Sequence, residues 1–425
     1  MLLLLVVGRA HASTDINGLF DARSTALGGT GAGYLDSAGA IPTNPALLDQ
    51  IGKLTVTLDV FYIRSQPQAP YKVYHLDANG QRYASYDTIR SEPTGAPLPF
   101  LGAAYRLADR VVVGAAVYPV IGQGASAKFR PAPDELPNLV ASNQVAMGLI
   151  EMGVPVSLRL LDNLAVALMW RGTYMTQSLN VPVPNKAYPG VLINTTGTEV
   201  SNGDIQVTGF NATGFQLGVF YKPVPALRLG LTYRSKVIVD GSGTTTSKNP
   251  LNGAPIVLDT QQGYTNPHAF RAGAALSVLD DKVLFVADFK YLMYAEAFKQ
   301  LKVVTTPMNG KPMINYQPAY WKDSISLGLG AEVKAGDMLH FRAGYNMTTS
   351  ATTEKYAISY MAPPGVAHLV SGGIGIKLLD CLNMDIAAAY VVLASTITEA
   401  TEYNAGVGTY ASHGFELAQS FTLHL

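Results

Sequence analysis

The sequence predicts an all-β protein, a 14-stranded antiparallel transmembrane β-barrel with an N-terminal plug inside its lumen. Three observations lead to this fold class. About 14 segments with apolar residues at every second position follow one another from Leu54 to Leu425, which is typical of a wall that faces lipid on one side and a lumen on the other. The connections between these segments alternate between short and long. Only 14% of the residues are charged, whereas an ordinary soluble domain has about 25%.

The first twelve residues resemble the remnant of an export signal. Met1–Val7 is apolar, and Ala10-His11-Ala12 fits the small-residue rule for signal-peptide cleavage, which would place the mature terminus at Ser13. A membrane anchor is the alternative, but the stretch is too short to span a bilayer. We therefore expect a signal-peptide remnant at 1–12, a plug at 13–50 and the barrel at 51–425.

The predicted plug is the stretch richest in small residues. Gly and Ala dominate residues 23–50, and Gly weakens both helices and strands, so this stretch suits close packing inside another structure. The run Gly29-Thr30-Gly31-Ala32-Gly33 could also be a phosphate-binding loop. However, no strand precedes it and no Lys-Ser/Thr follows it, as such a loop requires. We expect Phe20 and Asn44-Pro45-Ala46 to contact ligand or to take part in gating.

The connections predict which side of the membrane each end of the barrel faces. Outer-membrane barrels have short periplasmic turns and longer external loops, so an even number of strands places both termini in the periplasm. Short turns are expected near 108–109, 161–163, 223–225, 280–281, 335–336 and 379–380. Long loops are expected near 66–97, 122–142, 182–204, 241–266, 305–316, 350–365 and 398–410. Closure into a barrel is preferred because an open sheet would leave unpaired edges.

Four motifs, in the same order along the chain, resemble the outer-membrane long-chain fatty-acid and aromatic-hydrocarbon transporter (FadL/TodX) family. They are Asn44-Pro45-Ala46-Leu47-Leu48, the strand Leu231–Val237 followed by Asp240, Trp321-Lys322-Asp323, and Phe341-Arg342-Ala343-Gly344. The resemblance implies an N-terminal hatch that plugs the barrel, and a monomer in the outer membrane of a Gram-negative bacterium. It also implies passive uptake of hydrophobic molecules.

The chain departs from that family in three places. It ends in Leu425, where such barrels usually end in an aromatic residue, and the loop at 182–204 is shorter and has no helical pattern. The positions near Thr176 and Ala367-His368 that would carry basic pocket residues are not Arg. Because these positions carry fewer basic residues, neutral or aromatic hydrocarbons are favoured alongside fatty acids.

Pro119 predicts an irregularity in the wall. It follows an apolar strand that begins at Val111, and Gly122 and Gly124 come soon after it. Proline cannot donate to a strand ladder and is normally found at edges or bulges. The alternative is that Pro119 only ends the strand at the outer rim. In the family that the chain resembles, the third strand is kinked inward, and the hole beside it lets apolar ligands leave sideways into the membrane.

Few other side chains suggest chemistry. Lys322 could meet a ligand carboxylate in the lumen, or it could simply contact Asp323 at the mouth of a strand, while Trp321 would line the same site. His368 could replace a basic pocket residue, although a lone histidine on a strand is more often structural. We expect neither a cofactor nor a metal, since the histidines are scattered and Cys381 is the only cysteine.

Several function classes are disfavoured. The 30 basic and 30 acidic residues show no basic cluster, so nucleic acid is not an expected partner. Ser412 and His413 are adjacent and would point to opposite faces of a strand, so no lipase-like pair forms and enzymatic activity is not expected. The expected partners are hydrophobic small molecules and outer-membrane lipid. We predict uptake of hydrophobic molecules through loop capture, a lumenal apolar pocket, and release by hatch movement or lateral opening. The alternatives are a non-transporting scaffold that binds a partner protein and, less favoured because of the plug, a water-filled porin.

Overall fold

A computed structural model describes residues 21–182, 192–193, 200–249, 253–307, 310–360, 363–401 and 406–425. Its wall is a closed barrel of fourteen antiparallel strands, which confirms the predicted fold class. In order around the wall, the strands are β1 (Leu54–Leu76), β3 (Thr94–Ala108), β4 (Val111–Phe129), β5 (Ala141–Leu161), β6 (Leu164–Pro182), β8 (Val200–Val224), β9 (Leu227–Arg234), β12 (Ala269–Val278), β13 (Val283–Leu292), β16 (Ser324–Ala335), β17 (Leu339–Thr348), β18 (Val366–Leu379), β19 (Leu382–Ile397) and β20 (Gly408–His424).

Six further strands extend this wall or form short hairpins above it. They are β2 (Arg82–Arg90), β7 (Leu192–Ile193), β10 (Val237–Lys248), β11 (Pro255–Asn266), β14 (Gln300–Pro307) and β15 (Met313–Pro318). The barrel closes where β20 pairs with β1. At that seam the backbone amide of Leu425 donates to the carbonyl of Leu54 at 2.8 Å.

Three of the predicted long loops are hairpins of strands instead. Residues 66–97 contain the β1–β2 hairpin, 241–266 lie mostly in β10 and β11, and 305–316 include the end of β14 and the start of β15. The predicted loop at 122–142 begins inside β4. The apolar alternation fades in these stretches because both faces become polar above the lipid, although the backbone ladder continues. We call this end of the barrel the hairpin side and the other end the turn side.

Alternating burial along the strands places one face toward lipid. In β5 every second residue from Ala141 to Ser157 is buried, and the residues between them include exposed Ile150, Val154 and Val156. Side chains of consecutive strand residues point to opposite faces, so the exposed apolar set forms a lipid-facing band. Among the described residues, no helix is long and apolar enough to cross a membrane.

Residues 21–51, which we call the inner segment, lie inside the barrel. They contain helix α1 (Ala22–Ala26), helix α2 (Ala40–Thr43) and a 3₁₀ helix (Pro45–Gln50). Asn44 caps the 3₁₀ helix, because its side-chain oxygen accepts a hydrogen bond from the amide of Ala46 at 3.2 Å. Almost every residue of the segment is buried. Two short elements complete the chain, helix α3 (Tyr294–Ala297) and a 3₁₀ helix (Glu354–Tyr356).

Glycines in the wall allow the inner segment to approach the strands closely. A Cβ on Gly230 of β9 would lie 1.8 Å from the carbonyl oxygen of Ala32, and a Cβ on Gly344 of β17 would lie 2.1 Å from the amide nitrogen of Gly28. Real Cβ atoms do not approach other atoms this closely, so any larger residue would push the segment away from the wall. Small residues on both surfaces therefore fit the segment to the barrel.

Candidate functional site

The floor of the lumen is the inner segment, and buried charges hold it to one side of the wall. One carboxylate oxygen of Asp288 on β13 accepts hydrogen bonds from the amides of Gly31 at 3.0 Å and Ala32 at 3.2 Å. Arg271 on β12 donates to the same oxygen at 2.6 Å and to the carbonyl of Gly29 at 2.9 Å. The glycine-rich run does bind an anion through its amides, and that anion is the protein's own carboxylate.

A second cluster anchors the start of the segment. Arg23 forms two hydrogen bonds of 2.9 Å with the carboxylate of Glu332 on β16. Glu332 also accepts from Arg342 on β17 at 2.6 Å, and Arg342 reaches Asp385 on β19 at 2.5 Å. These groups line a cavity of about 410 Å³ on the turn side of the segment. The face of the segment toward the turn side is therefore polar and charged.

The end of the segment is tied to further strands. The side-chain amide of Asn44 donates to the carbonyls of Ala32 at 2.8 Å and of Val219 on β8 at 3.0 Å. Asp49 accepts from Arg159 on β5 at 2.8 Å. Pro45 and Ala46 are buried in the 3₁₀ helix that follows Asn44. Asn44-Pro45-Ala46 thus sits at the contact between the segment and the wall, and its polar groups are bonded within the protein.

Above the segment, a buried ion-pair network centres on Glu151 of β5. Its carboxylate accepts from Arg171 of β6 at 2.6 and 3.2 Å, from Arg234 of β9 at 2.5 Å and from the hydroxyl of Tyr118 on β4 at 3.0 Å. Thr173 and Asn266 complete the set at 3.2 and 3.3 Å. Glu151 and Arg171 are completely buried. Because one carboxylate binds both guanidinium groups, it balances one of their two positive charges and occupies the donors that face it.

Sequence reasoning missed this network, although a signal was present. Glu151 is the only acidic residue in the whole of the apolar strand β5, and Arg171 stands among apolar residues of the neighbouring strand. Charged residues on the lumenal face of apolar strands mark buried pairs, since an unpaired buried charge is costly. Arg234 lies in the strand motif Leu231–Val237, but the spacing of residues along the sequence does not identify Glu151 as its partner.

The lumen around and above this network is apolar. The buried side chains that line it come from the wall strands and their extensions, from the connection that follows β13 and from the connection that precedes β16. They include Tyr118, Ile121, Val145, Met147, Leu149, Met175, Leu179, Val207, Val239, Tyr264, Phe298, Leu301 and Trp321. An apolar molecule in this space would therefore meet mainly hydrocarbon and aromatic surfaces.

The wall beside this lumen is interrupted near Pro119. The ladder between β3 and β4 ends at the pair Leu101 and Val117. Hydrogen bonds between the same two chain segments resume where the hydroxyl of Thr94 donates to the carbonyl of Gly124 at 2.7 Å and the amide of Glu92 donates to the carbonyl of Ser126 at 2.6 Å. On the other side β4 stays paired with β5, with one irregularity between Pro119 and Ile121.

Two glycines border the interrupted stretch. A Cβ on Gly122 would lie 2.9 Å from a methyl carbon of Leu98, so the Leu98 side chain reaches into the space beside Gly122. A Cβ on Gly124 would lie 3.6 Å from the hydroxyl oxygen of Thr94, an ordinary contact. Beside Gly122 and Gly124, the gap between β3 and β4 is thus bordered by the side chains of Leu98 and Thr94.

The other predicted residues do not gather at one site. Trp321 is buried and packs against Phe298 with a ring-centroid separation of 4.4 Å. Lys322 is exposed, and Asp323 accepts hydrogen bonds from the Tyr291 hydroxyl and from a backbone amide rather than from Lys322. The alternative of a Lys322–Asp323 contact is therefore wrong. Phe20 lies outside the described residues.

His368 requires a correction. The hypothesis that it replaces a basic pocket residue does not fit, because it lies on the outer face of β18 between exposed Val366 and Val370. There its ring nitrogen is hydrogen-bonded to the hydroxyl of Tyr345 at 2.7 Å. Along this strand, the alternation of inward and outward side chains turns Ala367 inward and His368 outward. No group of three or more potential metal ligands occurs among the described residues.

Comparison with known proteins points to one family. The family model described as "Outer membrane protein transport protein (OMPP1/FadL/TodX)" matches residues 14–423. No curated protein matches the sequence. Among solved structures, a FadL homologue of Pseudomonas aeruginosa is 17% identical, with a TM-score of 0.72 over 98% of this chain and 99% of the other.

Two toluene transporters have the same fold. TodX of Pseudomonas putida is 16% identical, with a TM-score of 0.71 over 96% of this chain and 99% of its own. TbuX of Ralstonia pickettii is also 16% identical, with a TM-score of 0.67 over 96% and 99%. Identities this low establish a shared fold, and the family match extends over nearly the whole chain.

Proposed function

The chain belongs to the OMPP1/FadL/TodX family of outer-membrane transport proteins, and from this premise we propose that it takes up small hydrophobic molecules by passive diffusion. The short turns then face the periplasm and the hairpins face the outside. Ligand is collected on the hairpin side, held in the apolar lumen and released sideways between β3 and β4. The inner segment acts as the plug that keeps water and ions from passing through the same lumen.

The observation that carries this proposal is the gap between β3 and β4 beside an apolar lumen. A hydrophobic solute is poorly soluble in a water-filled pore, so a desolvated path from lumen to lipid lowers the barrier. Residues 95–100 and 118–123 have no ladder between them. The side chain nearest Gly122 across the gap is that of Leu98, and an apolar side chain needs only a change of rotamer to let ligand pass.

We infer that the preferred ligands are neutral. The guanidinium groups of Arg171 and Arg234 are both bound to Glu151, so a ligand carboxylate would have to compete with an internal one. Two of the structural relatives are toluene transporters, and a third is a monoaromatic hydrocarbon channel. An aromatic hydrocarbon needs no ionic partner and suits the Tyr264, Phe298 and Trp321 surfaces. The scaffold alternative has no support from these relatives.

A bulky side chain in the gap tests the proposal. Gly122→Trp should sharply reduce toluene uptake by cells that express the protein, because the indole would occupy the space between the two strands. Gly148→Trp is the matched control, since Gly148 is paired directly with Gly122 on β5 but lies in an intact ladder. Both variants should assemble normally. Equal uptake by the two variants would contradict lateral release.

A further inference from the structure

The wall has a second interruption, on the hairpin side of the barrel. Four neighbouring strands break at similar heights, at residues 235–236, 267–268, 293–299 and 319–323. Below these breaks β12 and β13 are paired along their whole length. Above them β11 and β14 are paired only where 258–262 meets 303–307. Residues 263–266 and 300–302 therefore face each other without a ladder.

A cavity lies at this interruption. It has a volume of about 510 Å³, within the usual range for small-molecule sites. Its lining includes the outward-facing residues Asp240, Ser242 and Gln261 together with the inward-facing residues Gln262 and Leu301. Adjacent strand residues such as Gln261 and Gln262 point to opposite faces. A cavity lined by residues of both faces, beside strands that lack a ladder, lies where a path from the outer surface to the lumen would run.

The inner end of the cavity is apolar with one polar atom. Phe298 lines it, lies 5.6 Å from Tyr264 between ring centroids, and belongs to the buried lumenal cluster. Gln262 is 3% exposed, and its side-chain carbonyl oxygen has no hydrogen-bond partner among the described residues. A buried acceptor of this kind costs free energy unless a donor reaches it. A hydroxyl group on a hydrophobic ligand would supply that donor without adding charge.

The outer end opens above the hydrocarbon layer. Exposed aromatic side chains of the neighbouring strands, Phe270 of β12 and Phe289 of β13, lie below the breaks, and aromatic residues of such barrels mark the membrane interface. Above the breaks, the outward residues of β10 and β11 are mostly polar, as Ser242 and Gln261 show, with Ile238 and Val257 as exposed apolar exceptions. Lys302 stands at the rim and is exposed. The mouth therefore lies at the level of the lipid headgroups.

Building on the proposed transport function, we propose that this cavity is a second, lateral entrance that binds uncharged hydrophobic molecules carrying a hydroxyl group, such as alkylphenols, and admits them from the headgroup layer to the lumen. It is separate from the β3–β4 gap, which lies across the barrel beyond β5, β6 and β8. Ligands that accumulate among the lipid headgroups would then enter the lumen without first leaving the membrane surface.

Reversible blocking of the mouth tests the route. In a Cys381→Ser background, Ser242→Cys is labelled on intact cells with a bulky, membrane-impermeant methanethiosulfonate. Thr244→Cys is the control, because Thr244 is exposed on the same face of β10 but does not line the cavity. Labelling Ser242→Cys should reduce 4-butylphenol uptake at least threefold, a reducing agent should restore it, and labelling Thr244→Cys should have no effect. Equal effects at both positions would overturn the proposal.

Recognition of the hydroxyl is tested separately by binding. Gln262→Met keeps the side-chain volume but removes the acceptor, so affinity for 4-butylphenol should fall by roughly three- to tenfold, the value of one hydrogen bond. Affinity for butylbenzene should stay unchanged, and equal losses for both ligands would refute the assigned chemistry. Absence of toluene uptake by the unlabelled protein would contradict the transport function itself. Normal toluene uptake with no effect of the Ser242 label would contradict only the second entrance.

Discussion

Replacing Glu151 by Gln should destabilise the barrel strongly, because it removes the carboxylate that binds the guanidinium groups of both Arg171 and Arg234. The carboxylate accepts six hydrogen bonds, three at each oxygen. A glutamine side chain keeps one acceptor oxygen but turns an NH₂ group toward the three donors at the other position. Arg171 would retain its bonds to the carbonyls of Phe215 and Ser235. Removing one partner from a buried ion pair costs about 3–5 kcal/mol, and we expect a loss of that size.

Equilibrium unfolding in urea with the barrel in lipid vesicles would measure this loss. Glu416→Gln is the control, since Glu416 is a partly buried wall carboxylate for which no ion pair is found among the described residues. The control should change the free energy of unfolding by less than about 1 kcal/mol. Glu151→Gln should also bind dodecanoate more tightly than the wild type does, because a ligand carboxylate can now pair with Arg234. A loss below about 1 kcal/mol in Glu151→Gln would refute the view that this carboxylate stabilises the barrel by pairing with Arg171 and Arg234.

Three further predictions follow from the inner segment and the rim. Burial and the nearby Asp385 carboxylate raise the pKa of Asp21 to about 6, so its ionised form lowers native stability above pH 6, and this cost disappears as the pH falls toward 4. Asp21→Asn should therefore be more stable than the wild type at pH 7.5, by up to about 3 kcal/mol, and similar to it near pH 4, as unfolding at the two pH values would show. Deleting residues 17–46 should raise the conductance of planar bilayers for small ions, whereas unchanged conductance through a folded barrel would rule out a plug. Lys322→Ala should leave dodecanoate and toluene binding equal to the wild type, since Lys322 is exposed, and a selective loss of dodecanoate would place this lysine at the ligand after all.

The sequence predicted the barrel well because the lipid imposes a simple pattern. Strands such as β5 alternate apolar and small residues over their whole length, and the short turns carry recognisable residues. Asp280 and Asp281, in one of these turns, adopt positive φ values of 54° and 61°, which Asp tolerates better than most residues. Above the lipid this constraint ends. There the outward residues of β10 and β11 are mostly polar, so the apolar alternation that indicates a strand is lost although the backbone ladder continues.

The site was less predictable because its contacts join distant parts of the chain. Asp288 and Gly31 are 257 positions apart, and no local spacing connects them. His368 was misplaced although a period of two would have turned it outward. Pro119 was informative because a missing backbone donor is a local property that disturbs a ladder wherever the strand pairs. The wall glycines, such as Gly230 and Gly344, mark where the inner segment approaches the strands closely, and the alternation of apolar residues does not reveal this.

Two routes of release can be weighed against each other from the contacts that each must break. Withdrawal of the whole inner segment would separate Arg23 from Glu332, the amides of Gly31 and Ala32 from Asp288, and Asp49 from Arg159. Hydrogen bonds to charged groups contribute about 1.5–3 kcal/mol each, so losing several at once is far above thermal energy. Passage between β3 and β4 requires movement of the Leu98 side chain, which packs against apolar groups and has several rotamers. The balance favours lateral release past a segment that stays docked. A cross-link that fixes the segment to β13 should therefore leave toluene uptake intact while Gly122→Trp abolishes it, and loss of uptake on cross-linking would show that the segment itself must move.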